Sequence, residues 1–583
     1  MEFLTQKMTE AVRAAFRSAG YPADEVRVIP SNRPDLCAFQ CNGAMALAKT
    51  YRRAPLEIAT AVAAALRDEP LFRKAEAVAP GFLNLDLDDA ILTDTLSSMM
   101  EDDRLGCATT AKPQTVIVDY GGANVAKPLH VGHLRSAVIG EAVKRMLRFA
   151  GHNVIGDVHL GDWGLQMGLI ICQLADEQPD LPYFDETFDG PYPTDPPFDI
   201  TALESIYPRA NARAKEDEDF KERAREATVA LQQGNRAYRA IWEHILNVSI
   251  RDLKRNYDRL SVTFDLWKKE SDAQPYIPDM IAYLKEGGYT RLSEGALVVD
   301  VKRPDDKKEI PPCMILKSDG ATLYNTTDLA TLVEREKLFH PDRIIYVVDK
   351  RQGLYFEQVF RCAVKTGIAP QDTTLTFLGF GTMNGRDGKP FKTRDGGVMR
   401  LQSLLDDITR QMAEKINRHD AIDAGETLRT AEQIALAAIK YGDLSNQAAK
   451  DYIFDVDRFT SFEGETGPYI LYTIVRIKSI LKKAPASTDA FQPPEDAVQR
   501  DLMLQLALLN QALDEAIAEC APHKVCKYVY DLANRFNTFY HQTRILKETD
   551  AVKRDGYLSL CRLTGRALNL CIDLLGFEAP ERM

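Results

Sequence analysis

The chain has 583 residues, more than one hydrophobic core can organise, which predicts roughly three or four domains. Its hydrophobic share of 45% and charged share of 27% are typical of globular proteins, and no apolar run approaches the ~20 residues that cross a bilayer. These values exclude a membrane-spanning class. The net charge of −12 does not suggest a nucleic-acid partner, but local basic patches would be enough for one.

The cysteines and the start of the chain bear on redox state and targeting. Ten cysteines are scattered without a CxxC pair, so their spacing indicates reduced thiols rather than a zinc site. The first 20 residues are amphipathic and include Glu2 and Glu10, and they lack the regions of a secretory signal. We therefore predict a cytoplasmic protein without protein-bound zinc.

The first unit mixes helices and strands. It begins with a helix, which is followed by a turn-forming stretch with Pro and Asn at residues 30–34. A helix of small residues at 43–51 and a strand at 82–87 follow. Residues 102–113 have the composition of a linker. A small α+β domain is expected over residues 1–112.

A strand–turn–helix–strand pattern begins at residue 115. The β-branched run 115–120 predicts a buried parallel strand, and the turn 121–127 precedes a helix with Pro128 in its first turn. Gly151 ends that helix and a second strand covers 153–159. Further strands are expected at 296–301, 343–348 and 374–378. The pattern predicts an α/β fold with a Rossmann-type parallel sheet.

The residue pattern of the remaining chain predicts mainly α-helix. A charged helical insertion covers about residues 179–265 and includes a turn-rich stretch at 182–197; helices dominate from residue 402, with a Pro-rich break at 491–494. We divide the chain at residues 1–112, 113–405, 406–460 and 461–583, the last being all-α.

Two histidines stand at the start of the first sheet helix. His130 and His133 are three residues apart and so share one helix face. Helix N-termini attract phosphate, and Gly132 leaves room for a nucleotide ring against the backbone. By itself, this pattern fits a pair of histidines on a helix surface equally well. A zinc site is a less favoured interpretation because no third ligand stands at a useful spacing.

Residues 122–136 around these histidines resemble the HIGH signature of class I aminoacyl-tRNA synthetases, and the flanks resemble the arginyl enzymes in particular. Three further matches follow in order: HLGDWGLQMG at 159–168, YNTTDLA at 324–330 and YVVDKRQ at 346–352. One HxGH is a weak signal, whereas ordered matches across nearly the whole chain are specific.

The resemblance implies fold, activity and partners. Residues 113–405 would be the class I catalytic domain, 406–460 a helical stem, 461–583 the anticodon-binding domain and 1–112 a domain that contacts the tRNA elbow. The activity would be ATP-dependent attachment of L-arginine to tRNA(Arg) through an arginyl-adenylate, in a monomer. ATP would act as its Mg²⁺ complex.

Three alternatives stay open. The chain could be a class I enzyme for another amino acid such as cysteine, although the usual zinc ligands of the cysteine enzymes are missing. It could be a tRNA-binding relative without catalysis, or a nucleotidyltransferase that shares HxGH chemistry, although those are much shorter.

The resemblance also implies an arginine site. A guanidinium is planar and carries five donors, so carboxylates should receive it. Tyr324 and Asp328, at helical i, i+4 spacing, would hold the guanidinium. The full implied set is Asp119, Asn124, His130, Tyr324, Asp328 and Gln352.

The second phosphate motif departs from the family pattern. Class I enzymes carry a KMSKS loop, and in the corresponding residues 388–397 Thr393 replaces the second lysine. Lys127, just before the HIGH-like residues, stands where arginyl enzymes are thought to compensate. The implied ATP contacts are Lys127, His130, Gly132, His133, Phe391 and Lys392. The implied catalytic set is His130, His133, Lys127, Lys392 and Arg394.

Two regions are candidates for tRNA contact. In the N-terminal domain they are Phe39, Gln40 and Asn42 beside Cys41. In the C-terminal domain they are Tyr469, Asn534, Arg535 and Asn537. Aromatic side chains there can stack on unpaired bases, but their helical spacing favours core packing. The aromatic residues concerned are Tyr469, Tyr472, Tyr530, Phe536, Phe539 and Tyr540.

Overall fold

The computed structural model describes residues 2–33, 35–389, 399–417 and 424–583. The described residues within 1–109, 462–573 and 578–583 form one compact unit, and the described residues within 110–461 and 574–577 form a second. Within the described ranges, no helix has both the length and the apolar character needed to cross a membrane.

The first unit contains a four-stranded antiparallel sheet of order β1-β2-β4-β3 with helices beside it. The strands are β1 (Ile29–Pro30), β2 (Phe39–Cys41), β3 (Phe72–Val78) and β4 (Phe82–Leu87). The helices are α1 (Leu4–Ser18), α2 (Gly43–Tyr51), α3 (Pro55–Ala65) and α4 (Asp89–Glu101). Helix α4 begins where the Asp88 side chain accepts from the N–H of Ala90, which satisfies one unpaired donor of the first turn.

The same unit includes the C-terminal helices. They are α16 (Gly467–Lys483), α17 (Ala497–Ala507), α18 (Leu509–Ala518), α19 (Pro522–Gln542) and α20 (Ala551–Leu574), with a 3-10 turn at Ile545–Lys547. Pro468 and Pro522 stand in the first turns of α16 and α19, where a missing N–H leaves no intrahelical bond unmade.

The second unit is built on a parallel sheet of order β11-β10-β5-β6. Its strands are β5 (Thr115–Asp119), β6 (Asn153–Asp157), β10 (Arg343–Asp349) and β11 (Thr374–Phe380). Helices on this sheet include α5 (Val131–Phe149), α11 (Tyr324–Phe339) and α12 (Gly353–Thr366). The carboxyl ends of the strands meet at one edge, which is where ligands bind in such sheets.

The insertion between β6 and β10 is helical at first and then forms a second sheet. The helices are α6 (Leu165–Glu177), α7 (Ile200–Glu216), α8 (Glu218–Gln232), α9 (Arg236–Arg259) and α10 (Ile277–Glu286), with a 3-10 segment at Glu270–Tyr276. An antiparallel sheet of β7 (Thr290–Ser293), β8 (Ala296–Val299) and β9 (Cys313–Leu316) follows. The strand predicted at 296–301 therefore belongs to this separate sheet and not to the parallel one.

The unit is completed by α13 (Leu401–Asn417), α14 (Ala424–Leu444), α15 (Val456–Phe459) and a two-stranded parallel pairing of β12 (Met383–Asn384) with β13 (Tyr452–Ile453). The predicted fold class is confirmed: a Rossmann-type α/β sheet, a small N-terminal α+β region and a C-terminal all-α region. The domain limits at residues 112, 405 and 460 stay predictions.

Candidate active site

The two signature histidines cap helix α5. The N–H of Gly132 donates to Nδ1 of His130 (3.0 Å), and the N–H of His130 donates to Nδ1 of His133 (3.2 Å). An Nδ1 that accepts carries no proton, so each ring is left with an Nε2–H donor. The ring centres lie 4.0 Å apart. Because His130 is the N-cap, the helix begins at Val131, and the predicted placement of Pro128 in its first turn is wrong.

Both histidines are neutral at pH 7. Burial lowers the pKa of His130, and the positive charge of Lys127 lowers it further. Burial also lowers the pKa of His133 to about 3, with His130 and Lys127 adding to the shift. The Lys127 ammonium lies 4.5 Å from the ring centre of Tyr207 on α7. The helix start therefore offers hydrogen-bond donors and one nearby cation.

One serine fixes this helix against the sheet. The N–H of Gly121 donates to Oγ of Ser136 (2.8 Å), which donates in turn to the carbonyl of Val347 (2.7 Å). Gly121 has a φ of +71°, and an added Cβ would lie 2.9 Å from the Phe264 ring. The turn after β5 thus requires glycine, and it fixes where α5 begins.

Asp328, Glu270 and Tyr324 lie close enough together beside the first turns of α11 to affect one another's pKa values, and we call this group the acidic pocket. Asp328 accepts a hydrogen bond from the Tyr355 hydroxyl, and burial raises the pKa of its carboxyl. Tyr324, the first residue of α11, is 70% exposed and is therefore not a core residue. The helix places Tyr324 one turn before Asp328, as predicted from their spacing.

The pocket contains a carboxyl that sequence reasoning missed. Burial raises the pKa of Glu270 to about 7, nearby Asp162 and Asp328 raise it further, and His159 lowers it. Asp162 accepts from the backbone N–H (3.0 Å) and the hydroxyl (2.6 Å) of Ser271, which anchors the segment that carries Glu270. Nothing in the charged stretch 268–272 distinguishes Glu270 by pattern; only its position in the fold does.

Asp119 has a partner that the sequence did not suggest. Arg335 of α11 donates to Asp119 (2.5 Å) and to Asp157 (2.8 Å), at the ends of β5 and β6. A ring nitrogen of His159 lies within 4.8 Å of an oxygen of each carboxylate, and neither of its buried ring nitrogens has a hydrogen-bond partner among the described residues. The Arg335 guanidinium pairs with both carboxylates and offsets one of their two negative charges.

Asn124 and Gln352 both face solvent near this sheet edge. Asn124 is exposed and lies against Gly161, where an added Cβ would come 2.2 Å from the Asn124 amide oxygen. Gln352 is exposed at the end of the 3-10 turn Lys350–Gln352 that follows β10. At Gly132 an added Cβ would lie 2.8 Å from the His130 ring, so glycine there protects the cap geometry.

Most of the second phosphate motif, residues 388–397, lies outside the residues that the structure describes. Phe391, Lys392 and Arg394 lie outside the described residues. The chain after them pairs with the start of α5: the N–H of Val131 donates to the carbonyl of Met399 (3.1 Å). The N–H of Leu401 likewise donates to the carbonyl of Leu129 (2.9 Å).

Three family models match the chain. The model described as "tRNA synthetases class I (R), catalytic domain" matches residues 95–456. "Arginyl tRNA synthetase N terminal domain" matches residues 3–87, and "DALR anticodon binding domain" matches 470–583. The chain belongs to the class I arginyl-tRNA synthetase family. Class I synthetase activity uses ATP.

Comparison with individual relatives supports the same family assignment. The chain is 59% identical over 597 residues to the arginine–tRNA ligase of Agathobacter rectalis and 53% identical over 587 residues to that of Alkaliphilus oremlandii; each match covers 100% of both chains. Among solved structures, the arginyl-tRNA synthetase of Plasmodium falciparum gives a TM-score of 0.83 at 23% identity. That of Thermus thermophilus gives 0.79 at 24%, and both cover 100% of each chain. The two structures show the shared fold.

The N-terminal candidates for RNA contact are only partly accessible. Phe39 is 1% exposed, so the prediction that its side chain contacts RNA is corrected: it packs in the core of the first sheet. Gln40 is half-buried and donates to Asn84 (3.0 Å), while Asn42 is exposed at the start of α2. Gln40 and Asn42 stay predictions.

The C-terminal candidates form an internal network. The Tyr469 hydroxyl donates to Asn534 (2.7 Å) and accepts from the amide of Asn537 (2.9 Å), which joins α16 to α19. Asn537 is buried and accepts from Arg476. Arg535 is half-buried and pairs with Asp501. Tyr469 and Asn537 thus support their neighbour Arg476.

That neighbour lines a basic pocket. The Arg476 guanidinium lies 4.7 Å from the ring centre of Tyr472 and 4.8 Å from that of Tyr540. The pocket has a volume of about 770 Å³, and its other cationic lining residues include Lys483, Arg544 and Lys547. Tyr472 is 42% exposed, whereas Phe536 and Phe539 are buried, so the aromatic candidates divide between surface and core.

Proposed function

We propose that this chain attaches L-arginine to tRNA(Arg) at the expense of ATP, as its family relationship implies. The observation that carries the proposal is the acidic pocket of Asp328, Glu270 and Tyr324, which is close enough to Asp119 at the end of β5 for the two aspartates to interact. The chain that follows β5 leads to the paired Nε2–H donors of His130 and His133. A cation-selective pocket beside a nucleotide-binding helix start is what arginine activation needs.

The charge of the pocket supports arginine over other amino acids. Two half-buried carboxyls with raised pKa values are destabilised as anions without a cation, and a guanidinium supplies one with five donors. Tyr324 adds an exposed hydroxyl and ring one turn before Asp328. We assign the guanidinium to Asp328, Glu270 and Tyr324.

The amino-acid head group would lie nearer the histidines. We assign the α-amino and carboxylate groups to Asp119, Asn124 and Gln352: Asp119 is the last residue of β5, Asn124 follows that strand, and Gln352 follows β10. The unpaired ring nitrogens of His159 face the same cluster of carboxylates, and a bound ligand would give them partners.

The start of α5 supports ATP binding. Neutral imidazoles donate to phosphate oxygens without having to lose or gain a proton, and their stabilisation grows as charge develops on those oxygens. Lys127 is close enough to shift the pKa of both histidines, so its cation can reach the same phosphates. We assign to Lys127 the task of the lysine that Thr393 replaces, with Lys392, Arg394 and Phe391 as further contacts.

The chemistry has two steps. The arginine carboxylate attacks the α-phosphorus of MgATP, the bond to the bridging oxygen breaks, and pyrophosphate leaves with its electron pair. A terminal ribose hydroxyl of the tRNA, the 2′-OH in class I by resemblance, then attacks the carbonyl of the arginyl-adenylate and AMP leaves. Both steps depend on positioning and charge stabilisation, so no covalent enzyme nucleophile is required.

The Arg476 pocket supports binding of an unpaired tRNA base. Aromatic rings and a guanidinium stack on bases, and the surrounding cations attract the backbone. The net charge of the chain is therefore a poor guide to this surface. We further propose a cytoplasmic monomer without protein-bound zinc.

One assay tests the proposal. The purified chain is offered each amino acid with total tRNA, and ATP–pyrophosphate exchange is measured with and without tRNA. We expect charging with arginine alone, and exchange that depends on tRNA. Charging with a different amino acid, or no charging at all, would refute the assigned function.

A His133→Ala variant tests the site within that function. Loss of an Nε2–H donor should reduce adenylate formation about a hundredfold, as removal of a preorganised oxyanion donor does, and leave tRNA affinity within twofold. Loss of tRNA binding with intact exchange would contradict the assignment.

A further inference from the structure

A buried arginine stands two residues beyond the signature histidines on α5. Arg135 is 1% exposed and its guanidinium joins three separate parts of the chain. Nε donates to Asp443 (2.9 Å), and Nη1 donates to the carbonyls of Gly381 (2.8 Å) and Lys450 (3.0 Å). A buried charge is retained at this cost in solvation only where several partners compensate it.

The partners of Arg135 are themselves fixed. The carboxylate oxygen of Asp443 that accepts from Arg135 also accepts from the Tyr452 hydroxyl (2.8 Å). The guanidinium carbon lies 4.9 Å from the ring centre of Tyr452 and 5.9 Å from that of Phe380. Arg135 thus has a carboxylate, two carbonyls and two aromatic rings around it, a set that lysine cannot satisfy.

These partners lie at the point where the chain leaves the parallel sheet. Gly381 directly follows β11, and an added Cβ there would lie 2.5 Å from the Lys450 carbonyl, so the two segments are in close contact. The chain then returns to α5 at Met399 and Leu401, which pair with Val131 and Leu129. The start of α5 is therefore bonded to the chain both before and after the basic stretch 390–398.

We propose that Arg135 is a positioning residue for adenylate formation: it fixes the His130–His133 turn relative to Gly381 and the segments on either side of that basic stretch. The inference rests on the proposed function, since it assigns an effect on ATP. It concerns a side chain that does not touch either substrate.

The predicted effect is selective for ATP. The arginine pocket is carried by α11 and by the Glu270 segment, neither of which contacts Arg135 among its described hydrogen bonds. The phosphate donors, by contrast, stand two residues from it. A displacement of the reacting groups by about 1 Å can reduce the rate about a hundredfold.

The test uses the full-length chain with three single variants, Arg135→Lys, Asp443→Asn and Tyr452→Phe, and with the double variant of Arg135→Lys and Asp443→Asn. Arg148→Lys is the matched control, since Arg148 lies on the same helix and pairs with Asp265 at the surface. Steady-state exchange with tRNA gives kcat and KM for ATP and for arginine separately, and thermal unfolding reports the folded fraction at the assay temperature.

For Arg135→Lys we expect kcat/KM for ATP to fall roughly thirtyfold to a hundredfold, while KM for arginine stays within twofold. Tyr452→Phe keeps the ring and the ion pair, so a smaller fall in the same parameter is expected, about threefold to tenfold. The Arg135→Lys and Asp443→Asn effects should be non-additive, because both residues belong to one network.

Specific results would overturn the inference. If folded Arg135→Lys has normal kcat/KM for ATP, or if both KM values rise together, Arg135 has only a structural role. If Arg135→Lys does not fold, Tyr452→Phe decides the question by the same two criteria. Failure of the wild-type chain to charge arginine would instead refute the proposed function, so the two failures are distinguishable.

Discussion

Replacing Asp328 by Asn isolates the charge of the proposed guanidinium site. The amide is nearly the same size and can still accept from the Tyr355 hydroxyl, so the local packing is retained. What is lost is a charge-assisted hydrogen bond to the substrate, worth about 1.5–3 kcal/mol. At 1.4 kcal/mol per factor of ten, KM for arginine should rise roughly tenfold to a hundredfold.

A compensating effect reduces this range. The negative charge of Asp328 contributes to the raised pKa of Glu270, so the neutral Asn lets Glu270 ionise more readily at pH 7. One carboxylate then still faces the guanidinium. We therefore expect a rise of about tenfold to thirtyfold, in the lower half of the range.

The assay is ATP–pyrophosphate exchange with tRNA over a series of arginine concentrations, with KM for ATP measured in parallel. Glu336→Gln is the control: it removes a carboxylate of the same helix, whose partner His340 is exposed, so little change is expected. A rise in KM for arginine below threefold, or an equal rise for ATP, would refute the assignment of Asp328.

Three further predictions concern pH, ATP and tRNA. Because Glu270 is protonated below its pKa of about 7 and guanidinium binding favours the anion, KM for arginine should fall about tenfold between pH 6 and pH 8; Glu270→Gln should abolish this dependence. Lys127→Met should reduce kcat/KM for ATP about a hundredfold in exchange assays, since the cation that stabilises pyrophosphate departure is lost. Arg476→Ala should weaken tRNA binding about tenfold in a filter assay and leave KM for ATP unchanged, since stacking on one base is lost.

Matched controls accompany these measurements. Lys285→Met removes a cation from the end of α10, and Lys527→Ala removes one from α19 that pairs with Asp531 outside the basic pocket. A pH-independent KM in the wild-type chain would contradict the role of Glu270. A Lys127 variant with normal exchange would contradict the placement of its ammonium near ATP. If Arg476→Ala weakens tRNA binding no more than Lys527→Ala does, the basic pocket is not part of the tRNA-binding surface.

The sequence by itself determined the local elements of the catalytic unit. The β-branched runs at β5 and β10 and the glycine at residue 151 predict strands and a helix end that follow from backbone sterics, and these depend little on distant contacts. The spacing of His130 and His133 likewise predicted that their rings lie together, although His130 proved to be the N-cap and not a residue of the helix. Ordered motifs then sufficed to predict family and fold class.

Only the tertiary structure decided which polar groups meet. Glu270 lies more than fifty residues before Asp328 in the chain and belongs to no motif. Burial and the neighbouring carboxyls nevertheless raise its pKa to about 7. The partners of Asp119 and Arg135 are likewise remote in sequence, and Phe39 proved to be core. Local patterns report the period of an element, whereas the desolvation and pairing of a charge depend on everything packed around it, which no single segment encodes.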